Sequence, residues 1–195
     1  YDPDHMLKNM ERSLNNLKTE YVDLMYLHHC NFGDGGKYFD NAMNVIKKFQ
    51  EQGKTRFIGL SDWSNKKIMQ YIKDCDPDVV QSYRNVMDDK YESSGLKSHI
   101  DKEYVGVCFF SPIKHGLLTG KYNKPASFKD GDHRAGIKQF VSKPIIAKMK
   151  KNKELLENKF RHEKHPVMHG IVNALFGDSP KGCVLLGQRN IAQVN

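Results

Sequence analysis

Residues 21–29 read YVDLMYLHH, an apolar and aromatic run of strand length that the turn-forming NFGDGG closes. Amphipathic helix patterns lie on both sides of it, because residues 5–18 and 39–52 carry apolar side chains at spacings of three and four. A second extended run, TRFIGLS, follows at 55–61. The alternation of these two hydrophobic periods predicts helices and strands in regular succession.

The same alternation continues along the rest of the chain. Ser64 is a predicted N-cap for a helix over 65–74, and a weaker helix pattern covers 93–102. Strands are predicted at about 22–29, 55–61, 79–83, 105–111 and 182–187. The first four start roughly every 24 to 33 residues, which is the length of a βα unit in a parallel sheet. This spacing predicts an α/β fold and fits either a doubly wound sheet or a TIM barrel.

The composition is that of a folded domain. With 195 residues, 38% of them apolar and 28% charged, the chain is long enough to bury one core, and we expect a single domain over residues 1–195. Residues 112–163 form a long, lid-like connection of the kind that barrel enzymes carry after a strand. The chain lacks a run of about 18 apolar residues and a signal peptide, so we expect a cytoplasmic protein without a membrane partner. Four dispersed cysteines predict buried, reduced thiols.

A formal net charge of +8 raises the question of a nucleic-acid partner. Much of this charge lies in helical segments where lysines alternate with acids and amides, which is typical of a solvated helix face. Charge alone does not separate this interpretation from attraction of a polyphosphate cofactor or of nucleic acid. Zinc-finger spacing and RNA-binding strand motifs are absent from the sequence, so we predict no nucleic-acid partner.

Polar or aromatic side chains end the predicted strands. In a parallel barrel the carboxyl ends of the strands build the active site, so these residues are site candidates: His28 and His29, Ser61 and Asp62, Gln81, Phe110 and Ser111, Gly187 and Gln188. Period-two counting places His28, Ser61 and Phe110 on faces that also carry small residues, which we expect to leave room for a ligand. Polar residues also end strands for purely structural reasons. Their succession at four strand ends favours a functional site.

Five segments together resemble the aldo-keto reductases. They match the family in order and in approximate spacing: DLMYLHH at 23–29, GKTRFIGLSDWS at 53–64, VVQSYRN at 79–85, FFSPIKHGLLTGKY at 109–122 and GCVLLGQRNIAQVN at 182–195. The resemblance implies a (β/α)8 barrel, of which this chain would supply about five parallel strands. It also implies reduction of an aldehyde or ketone by NAD(P)H.

The resemblance assigns a catalytic role to one residue of this chain. Family catalysis uses an Asp, a Tyr, a Lys and a His, and His28 falls on the position of the histidine that orients the carbonyl. A neutral imidazole N–H directed at a developing alkoxide would stabilise it. His29 stands at a variable family position and is expected to be secondary. The alternative for both is a histidine packed at the barrel rim.

The resemblance also assigns cofactor contacts. Ser61, Asp62 and Gln81 match the residues that hold the nicotinamide carboxamide, although the family commonly has Asn where this chain has Asp62. Phe110 matches the aromatic residue that stacks on the nicotinamide ring, a role that needs only the ring. The remaining matched positions are those near the phosphates and the adenosine: Ser111, Ile113 and Lys114 near the pyrophosphate, and Gly187, Gln188, Arg189 and Gln193 near the adenosine ribose. Because Gln193 replaces the usual arginine, NADP(H) is favoured over NAD(H) only modestly.

The family's Asp, Tyr and Lys belong to the first three barrel units, and nothing in this sequence matches them. We therefore expect a fragment, completed by the missing barrel strands or by an oligomer partner, since an incomplete barrel has open edges. Two functions stay open: a reductase of small carbonyl compounds, or a non-catalytic NADP(H)-binding module that acts through a protein partner. A basic barrel remnant in a nucleic-acid assembly is a weaker third idea.

Overall fold

A computed structural model gives the structure of residues 1–188 and 190–193. Helices and strands alternate through most of it. In chain order the elements are α1 (Pro3–Leu17), β1 (Val22–His28), α2 (Phe39–Glu51), β2 (Thr55–Asp62), α3 (Asn65–Cys75), β3 (Val79–Tyr83), α4 (Lys90–Ser93), α5 (Leu96–Glu103), β4 (Gly106–Phe110), α6 (Lys143–Lys159), α7 (Pro166–Asp178) and β5 (Cys183–Val184). Short 3₁₀ turns occupy Asp34–Gly36, Lys114–Thr119, His133–Gly136, Lys138–Val141 and Ile191–Gln193.

Local capping explains where the first helices begin and end. The Asp2 carboxylate accepts a hydrogen bond from the His5 N–H, and Pro3 opens the first turn of α1, where its missing N–H is harmless. The Ser64 hydroxyl accepts from the Lys67 N–H, which confirms the predicted cap of α3. Helix α3 ends where Asp76 adopts a left-handed conformation at φ 45°.

The strands form one sheet in the order β1-β2-β3-β4-β5. β1 pairs in parallel with β2, and β2 pairs in parallel with β3. From β3 to β4, Gly106 N–H donates to Asp78 and Arg84 N–H donates to Phe110, so the two partners advance in the same direction. The prediction of an α/β fold with five parallel strands is confirmed. β5 is shorter than predicted: only Cys183–Val184 is strand, and the Leu185 N–H still reaches the Phe109 carbonyl.

The chain divides into two compact units. The first contains Tyr1–Tyr83 and Lys90–Cys108, and the second contains Arg84–Asp89 and Phe109–Asn195. In the first unit the core lies on one face of the sheet, where period-two alternation aligns buried apolar residues of neighbouring strands. Strand and helix residues that are at most 1% exposed fill it: Leu27, Leu60, Val80, Ile46, Phe49, Ile68 and Ile72.

The second unit has a core of its own. Its buried members are Leu117, Leu118, Phe140, Ile146, Met149 and Ile171. Phe128 packs edge to face on Phe140, with ring centroids 5.0 Å apart. Residues 112–163, predicted as a long connection, therefore contribute 3₁₀ turns and α6 to a packed core.

Helix α7 was not anticipated from the sequence. Pro166 stands in its first turn, and Ile171 and Leu175 bury one stripe four residues apart. The helix is apolar on several sides and contains two glycines, Gly170 and Gly177, so its periodicity is weak. Gly170 has a packing reason, because a Cβ there would lie 2.7 Å from a methyl group of Leu156 on α6. Within the part of the chain that the structure describes, no helix is both long and apolar enough to cross a membrane.

The cysteines differ in exposure and in acidity. Cys30, Cys75 and Cys108 are buried as predicted, whereas Cys183 is exposed, so the prediction of burial is wrong for that thiol. Cys183 is the first residue of a strand that is only two residues long, so little neighbouring structure covers its side chain. Burial, reinforced by the Asp62 carboxylate, raises the pKa of Cys30 to about 12. Burial, reinforced by Asp76, raises the pKa of Cys75 to about 12.

Alkylation of the native protein is expected to separate these thiols. With a pKa of about 12, only about 1 in 10,000 of the Cys30 or Cys75 thiols is ionised near pH 8, and burial also blocks the reagent. Iodoacetamide should label Cys183 first, and peptide mass spectrometry after quenching measures the order. Equal labelling of Cys30 and Cys183 before unfolding would contradict the burial described here.

Candidate functional site

Three predicted site residues of the first unit lie side by side on neighbouring strands. His28 ends β1, Ser61 is the last but one residue of β2, and Gln81 is the middle residue of β3. His28 pairs with Ser61 across β1 and β2, and Ser61 pairs with Gln81 across β2 and β3. They share one face of the sheet, because the preceding residue of each strand is the buried Leu27, Leu60 or Val80 of the opposite face. The register thus brings together an imidazole, a hydroxyl and a carboxamide. His28 is exposed, Gln81 is half-buried and Ser61 is buried.

Two residues earlier on β1 and β2, the Tyr26 ring covers Gly59. These residues are also register partners, and a Cβ at Gly59 would lie 2.3 Å from Cδ1 of the Tyr26 ring. The glycine is therefore needed for the close approach of that ring. The small residue at this position does not leave the expected room for a ligand, since the Tyr26 ring fills the space at Gly59. The candidate site residues of this unit are therefore His28, Ser61 and Gln81.

The chain turns sharply where β1 ends. His29 adopts a left-handed conformation at φ 66°, and its N–H donates to the Ser61 carbonyl at 2.8 Å. Few non-glycine residues adopt this conformation, although histidine is among those enriched in it. The His28 and His29 rings have centroids 4.1 Å apart. This turn fixes the backbone that carries His28.

Tyr1, which precedes α1 in the chain, supports the same turn. Its hydroxyl lies 2.5 Å from the His28 carbonyl and 2.8 Å from that of His29, and it donates to this carbonyl pair. Its ring stacks on Phe32 with a centroid distance of 4.7 Å. Burial, with the Cys30 and Asp62 charges adding to it, raises the pKa of Tyr1, so the phenol stays a neutral donor. Sequence patterns gave no signal for this residue, because the contact spans 27 positions.

Asp62 lies on the face opposite Ser61, and its carboxylate accepts hydrogen bonds from two backbone N–H groups. Oδ2 accepts from the Cys30 N–H at 2.8 Å, and Oδ1 accepts from the Ser64 N–H at 2.7 Å. The His29 Nδ1 lies 4.0 Å from Oδ2. Contact between Asp62 and a nicotinamide stays a prediction, and the observed hydrogen bonds favour a role in holding the two strand ends.

In the second unit, the predicted phosphate-contacting segment has an unusual backbone. Ser111, Lys114 and His115 all have left-handed φ angles, of 61°, 47° and 56°, and Gly116 follows at 89°. Left-handed non-glycine residues store strain, which proteins commonly tolerate at ligand sites. The Lys114 and Gly116 N–H groups donate within the segment, to the Ser111 and Ile113 carbonyls. The Lys114 Nζ lies 4.0 Å from an Asp88 carboxylate oxygen. Phe110 directly precedes this segment and Ile113 lies within it, and both are half-buried.

The predicted adenosine-contacting residues lie near the end of the second unit. Gly187, Gln188 and Gln193 are exposed, and the Gln188 Nε2 donates to the Gln193 carbonyl at 3.2 Å. The structure therefore brings Gln188 and Gln193 together. Arg189 lies outside the described residues.

His115 should make the stability of this protein depend on pH. Burial lowers its pKa below the ordinary 6.5, and the neighbouring His133, Arg134 and Lys114 lower it further, while Asp132 opposes them. The unfolded chain then binds the proton more readily than the folded chain, so stability falls as pH drops through about 6.5. We expect His115→Gln to reduce the drop in Tm between about pH 7.5 and pH 5.5. Identical pH profiles for both proteins would contradict this linkage.

The family model described as aldo/keto reductase family matches residues 1–195. The chain belongs to this family. It is 31% identical over 136 residues to the aldo-keto reductase yakc of Schizosaccharomyces pombe, whose name carries NADP(+), with 68% of this chain and 39% of the relative covered. It is 28% identical over 129 residues to a probable voltage-gated potassium channel subunit beta of Arabidopsis thaliana, covering 63% and 38% respectively.

A solved structure extends the likeness to almost the whole chain. The glycerol dehydrogenase of Gluconobacter oxydans superimposes with a TM-score of 0.82 at 25% identity, over 99% of this chain and 57% of that one. The resemblance and the fold prediction are confirmed: the five parallel strands are part of the family's (β/α)8 barrel. The chain spans 39% of the length of its first curated relative.

The residues present fit the nicotinamide cofactor that the family implies. A carboxamide has one C=O acceptor and one NH2 donor, so it requires partners of both kinds. The Ser61 hydroxyl and the Gln81 amide supply both kinds at paired positions on one face of the sheet. The hydrogen-bonding groups of Ser61 and Gln81 therefore match those of the nicotinamide carboxamide.

Proposed function

We propose that this chain is part of a reductase that converts aldehydes or ketones to alcohols with NAD(P)H. The observation that carries the proposal is the register that sets His28, Ser61 and Gln81 beside one another on three neighbouring strands. Membership in the family supports it. The cofactor, when bound, supplies the hydride. The whole protein is a proposed cytoplasmic enzyme acting on small carbonyl compounds.

In the first unit we assign the nicotinamide amide to Ser61 and Gln81. The Gln81 amide both donates and accepts, and the Ser61 hydroxyl adds a second partner on the adjacent strand. Two partners on neighbouring strands fix the rotation of a carboxamide, and with it the face of the attached ring. This is an orienting task, which needs rigid strands more than strong bonds.

His28 is the proposed carbonyl-orienting residue. It is exposed on the same face and one strand away from Ser61, so a substrate oxygen can reach its ring. An imidazole N–H that donates to this oxygen stabilises negative charge as it develops during reduction. We propose that the family's Asp, Tyr and Lys complete the catalytic set in the whole protein.

In the second unit we propose that Phe110 stacks on the nicotinamide ring. The proposed pyrophosphate contacts are Ser111, Ile113 and Lys114, and the proposed adenosine contacts are Gly187, Gln188, Arg189 and Gln193. The left-handed conformations of Ser111, Lys114 and His115 support a ligand role for this segment, because such strain is commonly tolerated at ligand sites. The Lys114 ammonium adds positive charge, partly offset by Asp88. NADP(H) is the proposed cofactor, with NAD(H) as the weaker ligand.

The test is cofactor binding by the whole protein. A ligand at about 100 times its Kd stabilises the native state by about 2.7 kcal/mol, so saturating NADPH should raise Tm by several degrees and NADH by less. Gln81→Ala should weaken NADPH binding, whereas Gln52→Ala, the same change at an exposed position after α2, should leave it unaltered. Absence of any Tm shift with either nucleotide would contradict the proposal.

A second function is supported by the likeness to a potassium channel subunit beta. In that case the same residues bind NADP(H), and the whole protein acts on a protein partner. The two functions agree on cofactor binding and differ on turnover.

A further inference from the structure

The chain segment that carries His28 is held by a carboxylate from the neighbouring strand. β1 ends at His28, His29 turns left-handed at φ 66°, and the Cys30 N–H then points to Asp62 at 2.8 Å. The second oxygen of the same carboxylate takes the Ser64 N–H at 2.7 Å. One side chain therefore joins the turn after β1 to the turn after β2.

The environment of Asp62 suits a rigid connection. Asp62 is 5% exposed and Cys30 is 4% exposed, so water competes little for these hydrogen bonds. Bonds from N–H groups to a carboxylate are shorter and stronger than bonds between neutral groups. The adjacent His29 N–H donates to the Ser61 carbonyl at 2.8 Å, so two consecutive residues after His28 are bonded to the end of β2.

We propose that Asp62 is a positioning residue, which fixes the conformation of residues 28–30 and thereby the direction of the His28 imidazole. The catalytic part of this inference rests on the proposed reductase function. In this role Asp62 acts on His28 through the backbone. Contact with the nicotinamide carboxamide, which the resemblance to the family implies, is the alternative that the NADPH affinity of the Asp62 variants tests. Loss of its two hydrogen bonds frees the turn, and small misplacements of an orienting group lower catalytic rates strongly.

Asp78 provides a matched control. Its Oδ2 accepts from the Ile58 N–H at 2.8 Å, which is also a carboxylate bond to β2's backbone but lies three residues before Ser61. Asp78→Ala therefore removes the same kind of bond from the same strand without touching the turn at His28. Asp62→Asn keeps one acceptor oxygen and serves as the milder variant if Asp62→Ala folds poorly.

The first experiment measures kinetics on the whole protein. Asp62→Ala should lower kcat by roughly tenfold while the Kd for NADPH changes by less than about twofold, and Asp78→Ala should change kcat by less than about twofold. When His28 is already replaced by alanine, adding Asp62→Ala should change kcat by a factor of only about one, because the effects of coupled residues are not additive. Equal effects of Asp62→Ala in both backgrounds, or a roughly tenfold loss of NADPH affinity at unchanged kcat, overturn the proposal.

The second experiment does not depend on turnover. Histidine-labelled protein should show the His28 ring resonances shifted and broadened in Asp62→Ala or Asp62→Asn, and unaltered in Asp78→Ala. Identical His28 resonances in the wild type and both Asp62 variants overturn the proposal. If the wild type turns over no carbonyl compound, the proposed reductase function fails, and the resonances alone then decide whether Asp62 positions His28.

Discussion

Replacement of His28 by alanine is expected to lower kcat/KM for carbonyl reduction by about a hundredfold or more, which corresponds to about 3 kcal/mol of transition-state stabilisation. The physical reason is the loss of the N–H that would stabilise negative charge on the substrate oxygen. NADPH affinity should barely change, because Ser61 and Gln81 are the proposed carboxamide partners. Steady-state kinetics and an equilibrium titration of the same variant measure both effects.

His29→Ala is the control for this prediction. His29 is exposed and follows β1 in a left-handed turn, so its ring is not placed by the strand register as His28 is. Its removal deletes the ring that packs against His28 and should reduce kcat/KM by less than about tenfold. Equal losses in the two variants, or loss of cofactor binding in His28→Ala, would show that the assigned role of His28 is wrong.

Phe49→Ala is expected to destabilise the protein by about 3–5 kcal/mol. Phe49 lies on α2 and is 0% exposed in the core of the first unit. Truncation of its side chain therefore leaves a cavity that the closely packed sheet and helix cannot fill. Urea unfolding, with the midpoint and slope fitted separately, measures the change.

Lys48→Ala tests the same helix on its exposed face. Lys48 directly precedes Phe49 and is exposed, and substitutions at such positions usually alter stability by less than about 0.5 kcal/mol. A similar loss in both variants would mean that α2 does not pack as described.

Local patterns in the sequence predict most of the elements of the first unit. The alternation in TRFIGLS places Leu60 in the core and Ser61 on the opposite face, and the observed register of β1 and β2 follows it. The Ser64 cap is equally local, since its bond spans three residues. Such features depend only on residues that are close together in the chain, so a single sequence is enough to predict them.

Features that depend on distant residues could not be predicted in this way. The bond from Cys30 to Asp62 spans 32 residues, and a sequence pattern shows only an aspartate after a strand. Tyr26 fills the space at Gly59 because their strands pair, although a lone glycine in a strand suggests an open site. Helix α7 was missed because its apolar residues are spread around the helix, so no stripe of period 3.6 marks it.

The proposed function requires that the whole protein transfers hydride from NADPH to a carbonyl compound. The most direct measurement uses NADPH carrying deuterium at the transferred position of the nicotinamide, with aldehydes of increasing size, and mass spectrometry of the alcohol formed. The proposed function predicts deuterium on the carbinol carbon, and much less product with His28→Ala. Tight NADPH binding without any deuterated alcohol would contradict the reductase and favour the NADP(H)-binding module.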